Sequence, residues 1–133
     1  MTTTDNPQKA IREAEAWLAS AKHTLVDAQS DEALAGVCCA QAIHGIIRAN
    51  DALALKFLGT KPTRHDDLAT TFAKLVRQNK LAKADGRFKG LLAKAVMDKS
   101  GADYGKKTFS YEEAGEYVEK AEEFIATAKK HAE

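Results

Sequence analysis

The chain has 133 residues, 44% of them hydrophobic and 29% charged, with a net charge of +1. That is ordinary for one folded domain and excludes a disordered or fibrous chain. No apolar run reaches membrane-spanning length, and Met1 to Asn6 lacks the charged-then-apolar order of a secretory signal.

Residues 1–6 are expected to form a flexible tail, and residues 7–133 a single helical domain. Pro7 suits a first helical turn, with Asn6 as its cap. Ile11, Ala14, Leu18, Ala21 and Leu25 then form one apolar stripe to about Ala28. Trp17, beside that stripe, reads as a core anchor. A second helix begins near Ser30, with Asp31 and Glu32 in the first turn, where the dipole favours acids. It ends at Leu58, before Gly59 and Pro62. Val37, Ile43, Ile46, Ile47, Leu53 and Phe57 lie on several of its sides, which predicts the central, most enclosed element. Cys38 and Cys39 are adjacent, diverge on a helix and cannot form an ordinary disulfide. They read as small core residues of a reducing cytoplasm.

Thr63 and Asp66 imitate a capping box for a third helix, His65 to Leu81, with Leu68, Phe72, Leu75 and Val76 inward. Asp85 is placed to cap a shorter fourth helix with Phe88, Leu91, Leu92, Ala95 and Val96 inward, ending at Ser100-Gly101. Residues Asp98 to Phe109 then read as a functional loop. Ser110 and Glu113 make a capping box for the last helix, whose inner face is Ala114, Tyr117, Val118, Ala121, Phe124, Ile125 and Ala128. No strand alternation competes. The expected fold class is all-α, an up-and-down helical bundle of about five helices.

Two features point beyond scaffold. On the second helix Gln41, His44, Arg48 and Asp51 recur at steps of three and four, one face of an otherwise apolar element. Burying Arg or Asp alone is expensive, so the stripe lines a cleft, meets a partner or closes into an internal network. His44 and Arg48 would offer a base and a cation to one phosphate; the competing reading pairs Arg48 with Asp51 and hydrogen-bonds His44 within the bundle or at a dimer seam. His65 sits at a helix start, as a cap, a packing residue or a ligand group. Lys99, Asp103 and Tyr104 are candidates for a cleft edge, Tyr104 equally for a lid on the core.

The second feature is charge. From Lys56 to Lys107 thirteen basic and five acidic residues give a net of +8, leaving −7 for the remainder. Such a middle attracts phosphate, with Arg64, Arg77, Arg87, Lys89, Lys106 and Lys107 as nucleic-acid candidates; it is equally read as solvated helix backs. No glycine-rich phosphate loop, metal-ligand spacing or nucleophile elbow occurs, so no metal or cofactor is expected.

Three segments together resemble the HEPN superfamily of small helical bundles. They are Ile43 to Leu53 with its embedded polar residues, the turn Gly59-x-x-Pro62-x-x-His65-Asp66-Asp67-Leu68-x-x-x-Phe72, and Ala102-Asp103-Tyr104-Gly105. The third is followed by Phe109-Ser110-x-Glu112-Glu113-Ala114 and Ala121-Glu122-x-Phe124-Ile125, similar to one uncharacterised branch. The resemblance implies a HEPN-like fold and a homodimer, or a complex with a nucleotidyltransferase-like partner in a toxin–antitoxin pair. It also implies binding of RNA or nucleotides. Many members are metal-independent RNases carrying Arg followed four to six residues later by His. Here Arg12 precedes His23 by eleven, Arg48 precedes His65 by seventeen and Arg64 abuts His65. Lys99 stands where the branch has Arg. The expectation is a cytoplasmic RNA- or nucleotide-binding protein without that cleavage activity. The alternatives are an interaction or dimerisation module and a divergent RNase using His44.

Overall fold

A computed structural model describes residues 5–62, 64 and 67–133. Five α-helices follow in order: α1 (Pro7–Ala28), α2 (Glu32–Leu58), α3 (Leu68–Arg77), α4 (Lys89–Asp103) and α5 (Tyr111–Ala132). A short 3-10 segment, Lys83–Phe88, precedes α4. The described residues contain no strand, so the fold is an all-α bundle. Among the described residues no helix is long and apolar enough to cross a membrane.

The helix ends follow local chemistry. Asn6 accepts a hydrogen bond from the Lys9 amide at 2.8 Å, with Pro7 in the first turn. Asp31 accepts one from the Ala33 amide at 3.0 Å, and Gly59 closes α2 at φ 76°, where a side chain would be strained. Ser110 and Glu113 form the expected reciprocal box at 3.1 Å each way.

Pair contacts define the topology. Trp17 meets His44, and the Cys38 thiol donates to the Ala21 carbonyl, so α1 and α2 run antiparallel. Lys22–Glu122 and Glu15–Lys129 set α5 antiparallel to α1. Arg87–Glu123 and Lys94 over the Tyr117 ring set α4 antiparallel to α5. α1, α2, α4 and α5 therefore alternate up and down, and short α3 packs on α2 and α4. α2 touches the other four helices, which explains its apolar residues on several sides. Gly45 lets α1 and α5 pack closely on α2: an added Cβ would come within 3.2–3.4 Å of Ile125, the Ala14 carbonyl and Trp17. Phe124 is fully buried between Phe72 and Phe88 and locks α3, the 3-10 segment and α5 together.

Several local expectations change. Trp17 is not in the core: it is 37% exposed. Val37, at 45% exposed, also leaves the enclosed face of α2. Asp85 does not cap α4; it lies in the 3-10 segment and pairs with His131 at 2.9 Å, pinning the end of α5. α4 does not stop at Ser100-Gly101 but runs to Asp103. Gly101 serves close approach rather than termination, since a Cβ there would stand 2.8 Å from the Lys107 Cβ. The turn comes at Gly105, φ 65°. The capping pair Thr63 and Asp66, and His65, lie outside the described residues, and α3 begins at Leu68. Of the expected tail, Asn6 caps α1 and Asp5 pairs with α2.

Candidate functional site

The polar stripe of α2 opens on a cleft of about 450 Å³ between α1 and α2, lined by Asp5, Lys9, Glu13, Trp17, His44, Ile47, Arg48, Asp51 and Lys61. α1 supplies one wall because its stripe buries Ala14 and Ala21 against α2 and leaves Glu13 and Trp17 at the rim. The start of the 59–67 connection supplies Lys61.

Arg48 is the hub. Its Nη1 donates to Asp51 at 2.8 Å, and its Nη2 donates to Asp5 at 3.0 Å and to Glu13 at 3.4 Å. Its Nε is buried with no hydrogen-bond partner among the described residues. Burial works against the guanidinium charge, but the Asp5 and Asp51 carboxylates more than offset it and raise its pKa. Asp5 receives Arg48 and, at 2.7 Å, the Lys61 ammonium; these hold its carboxyl down to about 2. Asp51 is buried, and desolvation pushes its pKa up despite Arg48.

His44 belongs to a neighbouring set. Its Nε2 lies 3.1 Å from Asp103 Oδ1, and its ring stacks on Trp17 with centroids 4.8 Å apart. Lys99 holds the other Asp103 oxygen at 2.7 Å. Burial would raise the Asp103 pKa, but Lys99 and His44 outweigh it and lower it. His44 and Arg48 therefore share one cleft but face different partners, and each cation at the rim already has a carboxylate.

The remaining candidates scatter. Gln41 is half-buried on α2, its Oε1 without a partner among the described residues. Tyr104 is 73% exposed, so it is no lid on the core; the Lys106 ammonium stands 5.7 Å from its ring centroid. Arg87 pairs with Glu123 and lies over Phe88, and Lys107 pairs with Asp98 at 2.9 Å. Arg64, Arg77 and Lys89 are exposed. Lys74, Arg77, Lys80 and Lys89 are exposed and have no ion pair with another described residue. They sit on the last turn of α3, the turn after it and the first turn of α4, elements that pack on one another.

Reading the sequence alone missed Asp5, Glu13, Lys61, Asp98 and Tyr117. Asp98 is buried in α4 and receives the Tyr117 hydroxyl, Lys94 at 3.0 Å and Lys107. Burial raises its pKa, but these donors prevail and hold it at about 2. Lys94 and Asp98 at i, i+4 were a legible signal; Asp5 carried none. The Cys38 and Cys39 thiols are pushed up to about 11 and about 12 by burial, so neither is a nucleophile at neutral pH. Among the described residues no group of three or more His, Cys, Asp or Glu is placed to hold a metal. No protein-family model matches the chain, and no curated protein does either.

Proposed function

We propose that this is a HEPN-like helical bundle of the cytoplasm that binds RNA or nucleotides without cleaving them. The reading rests on where the positive charge is left uncompensated. In the cleft every cation meets a carboxylate, whereas Lys74, Arg77, Lys80 and Lys89 project from α3 and the start of α4 with no acidic partner among the described residues. Cations that spend nothing on internal pairs are the ones that release counterions from a phosphate chain. The missing Arg-to-His spacing and the occupied His44 ring support binding without cleavage. A nucleotidyltransferase-like partner in a toxin–antitoxin pair fits the same reading, and a neighbouring reading frame encoding one would favour it.

Filter binding of a mixed-sequence single-stranded RNA across a salt series tests the reading. The wild-type chain retains RNA at low ionic strength. The variant Lys74→Glu/Arg77→Glu/Lys80→Glu loses about two units of the slope of log affinity against log salt, at about 0.7 per phosphate contact. Absence of retention at low salt overturns the proposal. RNA cleavage that disappears with His44→Ala would instead favour the divergent RNase.

One observation favours a second reading, an interaction module formed by two copies of the chain. Trp17 is exposed on the α1–α2 side, and Val37, exposed beside the 102–109 segment, lies two turns before His44 on the same face of α2. The cleft there carries three cations and three acids, Lys9, Arg48 and Lys61 against Asp5, Glu13 and Asp51. A two-fold interface sets a patch against itself, which a balanced patch tolerates and a single-signed one resists. Light scattering that finds a dimer in wild type and a monomer in Trp17→Ala or His44→Ala supports it; a wild-type monomer at high concentration removes it.

A further inference from the structure

We propose that Arg48 and Lys61 form a binding site for a small oxyanion, a phosphate or carboxylate group, which the chain's own Asp5 occupies as an intramolecular plug. The inference does not rest on RNA binding at α3.

The geometry is that of a ligand held in place. Asp5 Oδ1 accepts from Arg48 Nη2 at 3.0 Å, and Asp5 Oδ2 lies 3.5 Å from Nη1, the side-by-side approach by which a guanidinium takes an oxyanion. The Lys61 ammonium donates to the same Oδ2 at 2.7 Å. The two cations come from different elements, α2 and the connection after it, and both hydrogen-bond this carboxylate. Asp51 fixes Arg48 from below at 2.8 Å, through the i, i+3 spacing of α2. The guanidinium therefore stays in place if Asp5 departs.

Asp5 is the movable member. It precedes the Asn6 cap, so it belongs to no helix, whereas Arg48 and Asp51 sit mid-helix in the central element. Withdrawal of Asp5 leaves Lys9, Arg48 and Lys61 against Glu13 and Asp51 around an open cleft, changing its balance from neutral to positive. A phosphate or carboxylate entering there would keep both Arg48 bonds and the Lys61 bond. Trp17 and the His44 ring would lie along its flank, where a planar group attached to the anion has an aromatic surface to meet.

The plug competes by proximity. A carboxylate tethered by so short a segment acts at an effective concentration on the order of millimolar or higher, enough to exclude a weak free anion. Removing it strengthens anion binding by about tenfold.

The test uses the full chain and its single tryptophan, Trp17, which lines the cleft. Wild type, Asp5→Ala and Asp5→Ala/Lys61→Ala are titrated with inorganic phosphate, acetate and AMP by calorimetry, with Trp17 emission followed in parallel. Helical circular dichroism checks that each variant is folded. The expected result is that Asp5→Ala binds phosphate about tenfold more tightly than wild type, with a change in Trp17 emission, and that the double variant loses the gain. Phosphate and AMP binding without acetate identifies a phosphate site; equal acetate binding identifies a general carboxylate and phosphate site. The proposal is overturned if Asp5→Ala binds no tested anion more tightly than wild type, or if the double variant keeps the gain. RNA retention by the α3 charges is measured separately, so failure of either idea leaves the other standing.

Discussion

Two aspartates in this protein do the same chemistry in opposite settings. Asp98 in α4 and Asp5 before α1 each gather two cations, and each carboxyl is held at about 2. Asp98 is sealed: 6% exposed, it also takes the buried Tyr117 hydroxyl and ties the segment after α4 back through Lys107. Asp5 stands at the rim of a cleft, on a segment with no helix of its own. Equivalent ion pairing thus serves architecture where the carboxylate itself is buried, and leaves room for exchange where it stands at a cleft.

Breaking either hub separates the two roles. The largest effect belongs to Arg48→Ala, which strands the buried Asp51 carboxylate without its cation; urea unfolding should show a loss of about 3–5 kcal/mol. Undiminished stability would mean that Asp51 is already neutral. Asp98→Ala comes next, leaving the buried Tyr117 hydroxyl with the Lys94 carbonyl at 3.5 Å in place of a carboxylate, at about 1–3 kcal/mol. The Lys107 segment should then exchange its amides faster than α5 does.

Acid sharpens the same contrast. The folded-state pKa of Asp98 lies below the ordinary 3.8, so its stabilisation is present above about pH 4 and is lost as pH falls toward about 2. A lowering of nearly two units is worth about 2 kcal/mol. Asp98→Asn should flatten that part of the stability profile; an unchanged acid limb would place the titration elsewhere. The smallest change is expected for Asp5→Ala, about 1 kcal/mol, since Arg48 keeps Asp51 and Glu13. A loss as large as that of Arg48→Ala would make Asp5 architectural.

The bundle was legible because periodicity and caps act locally. The stripes of α1 and α5, the Asn6 cap, the Ser110–Glu113 box and the Gly59 stop needed no knowledge of neighbours. The stripe on α2 was legible for the same reason, and so was the Arg48–Asp51 pair at one turn. What the sequence left hidden depends on distant chain segments meeting. Asp5 reaches Arg48 across 43 positions, and His44 reaches Asp103 across 59. Gly101 looked like a helix stop because its role, admitting Lys107, belongs to a tertiary contact. Trp17 looked like core because composition does not tell which side of a stripe an aromatic falls on.

On the proposed reading, the native chain recognises phosphate through the uncompensated cations of α3 and the turn after it, and not through the paired cations of the cleft. Filter binding of single-stranded RNA by Lys74→Glu/Arg77→Glu/Lys80→Glu beside His44→Ala, at one low salt concentration, tests it directly. The triple variant is expected to lose RNA, and His44→Ala to retain it at the wild-type level. Retention by the triple variant with loss in His44→Ala would contradict it.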